Sequence, residues 1–155
     1  MGISKYIDFD LFIRCIGLRS SKQIFQHIAH EASFFCETRP QELFDTFIDR
    51  YNGYGVSGEN GVAIFDVKSK KIKKPIMFVV TFDQEIDLNE RDTSGVDLMV
   101  GVASPESYGA EHLQNLASIA RLFRSHDLCS ALRETKSEDE MKMLFMPSQD
   151  WIIAA

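Results

Sequence analysis

Two nearly unbroken apolar runs restrict most strongly what this chain can fold into. They are residues 76–82 (IMFVVTF) and 96–103 (VDLMVGVA). Neither shows the polar alternation of a strand with one wet face, so both read as strands covered on two sides. The segments around them supply the cover. Ile24, Phe25, Ile28, Ala29, Ala32 and Phe35 fall on one helical stripe, with Ser20 or Ser21 placed to cap its start. Pro40 suits the first turn of a second helix, whose apolar face is Leu43, Phe44, Phe47 and Ile48. That helix should end near Tyr51, with Gly53 as its C-terminal cap and Arg50 in its last turn.

Residues 11–18 (LFIRCIGL) read as a first strand, and residues 83–92 as an acidic loop or irregular edge. A helix is predicted from Gly109 onward, capped by Ser107 or Gly109. Its apolar face is Leu113, Leu116, Ala117, Ala120, Leu122 and Phe123, and His112 lies in its first turn. Two shorter helices follow at residues 127–132 and 138–144, and the final SQDWIIAA reads as an edge strand or docking tail. The order is strand, two helices, three strands, then helices. It predicts an α/β fold with a mixed (parallel and antiparallel) sheet and helices on both faces. At 155 residues, the chain suits a single domain spanning 1–155.

Charge and cysteine usage limit the function classes. The net charge is −6, yet five of the 17 Lys and Arg residues lie between Lys68 and Lys74. With no broad basic face, nucleic acid is disfavoured as the main partner. The lysine cluster reads as a solvated loop, with a docking patch for an acidic partner as the alternative. Three separated cysteines (Cys15, Cys36, Cys129) show neither CxxC nor Cys/His ligand spacing. They predict reduced, small apolar residues and no zinc site. His27 and His30, three apart with no third ligand, make a poor metal site. Asp8, Asp10 and Arg14 interrupt any signal-like run, and no stretch approaches a membrane span. Cytosol is the expected compartment.

The stretch 51–74 (YNGYGVSGENGVAIFDVKSKKIKK) carries the strongest local signals. Asn60 and Gly61 both tolerate positive φ and form a turn. Val62, Ala63, Ile64 and Phe65 then read as a short buried strand with Asp66 at its end. The ends of strands in α/β sheets are where ligands and chemistry gather, and a glycine-rich approach lets backbone N–H groups converge on an anion. The structural alternative is a plain loop, strand and solvated carboxylate.

Two segments together carry a resemblance. NGVAIFD (60–66) and SPESYGAEHL (104–113), the latter continuing through Leu116, Ala117 and Ala120-Arg121-Leu122, resemble the fructose/mannitol-type IIA domain of the bacterial phosphotransferase system. The likeness is to the stand-alone nitrogen-regulatory IIA proteins within that family, and it covers essentially the whole chain. In the family, the first motif ends in Pro-His, and that histidine takes a phosphoryl group from the phosphocarrier HPr or its nitrogen-branch counterpart. A second histidine and an arginine face the phosphoryl group.

By that resemblance His112 matches the second histidine and Arg50 the arginine. Asp66 stands at the acceptor position, Phe65 at the preceding proline, and Glu59 where glycine is usual. The implied site is Asp66, His112 and Arg50, with Arg50, Asn60 and Gly61 toward phosphate, and neither metal nor cofactor. A carboxylate is a weaker nucleophile than imidazole toward a dianionic donor, and transfer depends on positioning and charge stabilisation. The reading that follows is a regulator that binds an HPr-type carrier or a regulated target protein and no longer carries phosphate on histidine. The alternatives are an active carrier using Asp66 or His112, a small anion- or metabolite-binding domain lined by Arg50, Asp66 and His112, and an inert site on an inherited fold.

Overall fold

A computed structural model describes residues 7–88 and 95–146. The elements run β1 (Leu11–Cys15), α1 (Ser21–Cys36), α2 (Pro40–Tyr54), β2 (Val62–Ser69), β3 (Ile76–Ile86), β4 (Val96–Pro105), α3 (Ala110–Leu122), α4 (His126–Glu134) and α5 (Glu138–Met143). The strands form one mixed sheet in the order β1-β3-β4-β2. β1 is parallel to β3 and β2 to β4, while β3 and β4 are antiparallel. This is the mixed, doubly covered sheet that the apolar runs called for. The tail SQDWIIAA lies outside the described residues.

The strand period sorts the core into two layers. Phe65 and Val67 of β2, Phe78 and Val80 of β3, and Met99 of β4 face α1 and α2. Val62, Val79, Leu98, Val100 and Val102 face α3, α4 and α5, meeting Ile119, Leu122, Leu128, Leu132 and Met141. The phenylalanines knit the first layer: Phe65 packs on Phe25 at 4.9 Å and on Phe47 at 5.6 Å between ring centroids. Ser20 caps α1 by accepting from the Gln23 N–H, and Ser125 and Ser137 do the same for α4 and α5.

The structure corrects four local expectations. β2 runs on to Ser69, so Asp66 sits inside a strand and not at its end. β3 continues through Asp83, Gln84 and Glu85 to Ile86, with a register shift after Thr81. Ladder hydrogen bonds are indifferent to side-chain polarity there, and Asp83 is held by Arg19 at 3.2 Å. α2 extends one residue past Gly53 and is capped by Gly55 at φ +68, which leaves Arg50 outside the last turn. α3 is rotated: His112 and Ile119 face inward, whereas Leu113 is 62% exposed. Apolar counting cannot foresee a histidine turned into the core by polar partners waiting there.

Gly101 of β4 lies opposite Phe78 of β3, and a Cβ at Gly101 would come within 2.2 Å of the fully buried Phe78 ring. Phe78 fills the place a side chain would take, as aromatic residues do opposite sheet glycines. Gly101→Ala is expected to lower stability by about 1–3 kcal/mol in urea unfolding, the usual cost of overpacking. Adding Phe78→Leu should recover part of the loss.

All three cysteines are buried and free. Burial pushes the Cys15 and Cys36 thiols up to about 12 and also raises that of Cys129. A raised thiol pKa keeps the reactive thiolate scarce at neutral and mildly basic pH. Ellman titration of the native protein near pH 8 should therefore be slow at all three sites and become fast in denaturant.

Candidate functional site

The constellation around Asp66 is assembled by the sheet edge. β2 is an edge strand, and its even-numbered positions Val62, Ile64 and Asp66 turn toward the α3 layer. α3 begins just beyond β4 and drives His112 into that layer, where the ring is 1% exposed. His112 Nε2 lies 2.9 Å from Asp66 Oδ2, and His112 Nδ1 lies 2.9 Å from the hydroxyl of Ser104, which is fully buried. A carboxylate only accepts, so Nε2 carries the hydrogen and donates to Asp66. In the neutral ring, Nδ1 then accepts from the Ser104 hydroxyl.

Arg50 comes from the opposite layer, around the open edge of β2. Its Nε donates to the Asp66 backbone oxygen at 2.9 Å, and Nη2 reaches Asp66 Oδ1 at 3.4 Å. Its guanidinium also lies over the Tyr54 ring, 4.0 Å from the centroid. The side chains of Asp66 and Arg50 are about one-third exposed. A half-wet carboxylate is thus clamped between a buried imidazole and a stacked guanidinium, with one oxygen assigned to each.

Asp66, His112 and Arg50, the three residues picked out on either side of this strand, meet in one cluster. Asn60 and Gly61 do not join it. They lie at the start of β2, and Gly61 is five residues before Asp66, roughly 16 Å along an extended strand. There Arg133 donates to the Asn60 backbone oxygen at 2.7 Å and to Asp97 Oδ2 at 2.8 Å. Asn60 and Gly61 adopt φ +56 and +82. A Cβ at Gly61 would sit 2.9 Å from both Arg133 and Asp97, so this turn needs its glycine twice over. Glu59 is exposed in the same turn, away from the Asp66 carboxylate.

Lys70, Lys71, Lys73 and Lys74 lie in the connection from β2 to β3, with Lys74 paired to Glu37 at 2.9 Å. Among the described residues, no three His, Cys, Asp or Glu side chains gather as a metal-ion site. No described helix is long and apolar enough to cross a membrane.

Ser104 and Tyr54 were missed as members of the site. Ser104 stands eight residues before His112, and only the strand register, which sets Lys68 opposite Ser104, reveals that it reaches the ring. Tyr54 was hidden because the helix carrying it ends later than its glycines suggest.

Comparison with known proteins follows the same lines. A model of the family described as "Phosphoenolpyruvate-dependent sugar phosphotransferase system, EIIA 2" matches residues 5–146. The chain is 29% identical over 136 residues to a nitrogen regulatory protein of Bradyrhizobium diazoefficiens, covering 88% of this chain and 89% of that protein. Its fold is similar to the crystal structure of nitrogen regulatory protein IIA-Ntr from Neisseria meningitidis, at TM-score 0.76, 18% identity and coverage of 88% and 92%. It is also similar to the mannitol IIA enzyme of Escherichia coli, solved in complex with phosphorylated IIB. That match has TM-score 0.68, 15% identity and coverage of 87% and 92%.

A double-mutant cycle over Asp66→Ala and His112→Ala tests the clamp. Removing Asp66 strands a ring nitrogen of the buried His112, and removing His112 leaves a partly exposed carboxylate with one partner fewer. A coupling energy of about 0.5–3 kcal/mol is expected from denaturant unfolding of the four proteins. Additive losses would mean that the two side chains do not depend on each other.

Proposed function

The chain belongs to the EIIA 2 family of the phosphoenolpyruvate-dependent sugar phosphotransferase system, and from that membership we propose a nitrogen-regulatory IIA-like protein that works by binding partner proteins. In this reading residues 1–155 form one such domain, cytoplasmic, with Asp66 in place of the histidine that receives the phosphoryl group in the family. Its partner is an HPr-type phosphocarrier or a regulated target protein.

The observation that carries this reading is the engagement of both carboxylate oxygens of Asp66, Oδ2 by His112 and Oδ1 by Arg50. A phosphoryl acceptor must offer a free lone pair to the incoming phosphorus and place it in line with the leaving group. Here each oxygen is already held by a cation or an N–H donor, which draws charge from its remaining lone pair and fixes the direction in which that pair points. His112 is no better placed, since both ring nitrogens are within hydrogen-bond distance of partners and the ring is buried. The cluster instead holds a fixed negative charge where the family's phosphoryl group would add one, so it imitates a charged state without chemistry.

Protein binding is supported by the surroundings. Tyr54 is 77% exposed beside Arg50, and Leu113 is 62% exposed next to His112. An exposed aromatic ring stacked on the arginine of a partly exposed ion pair, with an exposed leucine on the helix that carries His112, has the composition of a docking surface.

Incubation with phosphoenolpyruvate, enzyme I and an HPr-type carrier, followed by intact mass measurement, should leave the mass of the wild-type chain unchanged. A gain of one phosphoryl group that disappears in Asp66→Ala would overturn the proposal in favour of an active carrier. Asp66→His should acquire the group if only the acceptor atom is lacking. Asp66→Ala and Arg50→Ala should each weaken recovery of a partner in pull-down, and unchanged recovery would place the binding surface elsewhere.

A further inference from the structure

A cavity lies at the other end of β2, and nothing in the regulatory reading uses it. It holds about 440 Å³, within the range of small-molecule sites. Its apolar wall is built by Val62 and Ile64 of β2 together with Ala120 and Phe123 at the end of α3. Its lip carries Arg124 and His126, both exposed. Neither of their side chains has a hydrogen-bond or ion-pair partner among the described residues.

The other charges of the lining are differently placed. Arg133 is tied to Asp97 and to the Asn60 backbone oxygen, so it props up the turn and its charge is met. Glu59 stands on the turn side and supplies the only carboxylate of the lining among the described residues. The cavity therefore offers an apolar wall, one unmatched guanidinium and an exposed imidazole beside it.

We propose that this cavity binds a small carboxylate-bearing molecule with an apolar body, its carboxylate on Arg124 and its body against Ile64, Ala120 and Phe123. Arg fits this task because its planar fork meets a carboxylate with two parallel N–H donors. The apolar wall supplies what a bare anion site lacks, a place for carbon. The seat also touches two of the elements that build the Asp66 cluster, β2 and α3. Ile64 is two residues before Asp66 on the same face of β2, and Ala120 lies eight residues after His112, roughly 12 Å along α3. The inference does not depend on whether Asp66 takes phosphate.

Titration of the full chain by two-dimensional NMR tests the assignment, with hydrocinnamate as the probe. Saturable shifts are expected at the amides of Ile64, Ala120 and Phe123. Hydrocinnamyl alcohol and phenylpropylamine, which keep the body and lose the carboxylate, should bind more weakly by about tenfold or more, as should inorganic phosphate. Arg124→Ala should cost about tenfold in hydrocinnamate affinity with the fold unchanged, because Arg124 is exposed and holds nothing else. Glu59→Gln should tighten binding by removing a like charge. The proposal is overturned if hydrocinnamate gives no saturable shifts at millimolar concentration, if the alcohol or the amine binds equally well, if phosphate alone binds as tightly, or if Arg124→Ala changes nothing.

Discussion

The Asp66–His112 hydrogen bond is the contact on which the rest of the site depends, and the position of β2 makes it possible. In a sheet covered on both faces, residues from opposite helical layers normally never meet. Because β2 is the edge strand, Arg50 of α2 reaches around it to the carboxylate that His112 of α3 holds from the other side. A single side chain thereby links both layers. Moving β2 one place inward would bury Asp66 beneath a neighbour and separate the arginine from it.

The electrostatics follow from that geometry. His112 is buried, and a buried imidazole needs its nitrogens satisfied. Ser104 and Asp66 do this from the two ends of the ring, and the acceptor-only nature of the carboxylate decides which nitrogen holds the hydrogen. Arg50 anchors the same residue by its backbone oxygen and stacks on Tyr54, so the guanidinium is held from two directions before it meets the carboxylate. The result is a preset arrangement of charges on a semi-exposed surface, which suits recognition of a partner more readily than acceptance of a group.

Residues 76–82 and 96–103 announced the two central strands because strands buried on both faces leave no room for polar alternation. The serine cap and the Ile24–Phe25–Ile28 stripe announced α1 for equally local reasons. What the sequence hid was decided at longer range. α3 turned by about one position because His112 had Ser104 and Asp66 to meet, and those partners lie eight and 46 residues away along the chain. The extension of β2 past Asp66 was hidden in the same way. Asp66, Val67, Lys68 and Ser69 continue the strand because β4 runs beside them from Val102 to Pro105, a backbone demand that side-chain polarity does not express. Asp66 stood out from its strand and glycine-rich approach, Arg50 and His112 were nameable as its partners only through resemblance, and Ser104 required the register.

The face of β2 that carries Asp66 also explains why one strand can serve two ends of the molecule. Successive even positions are Val62, Ile64, Asp66 and Lys68, so the face changes from apolar to charged within four steps of the pleat. Val62 and Ile64 are covered incompletely because α3 ends and α4 begins beside them, and the gap between the two helices is the cavity. Asp66 and Lys68 lie where α3 starts, and there the helix delivers a histidine. A strand roughly 27 Å long spans both features. Only Phe65 separates Ile64 from the carboxylate that ties the two layers together. The turn at Asn60 and Gly61, braced by Arg133, fixes the near end of that strand, so the cavity and the Asp66 cluster share one anchored element.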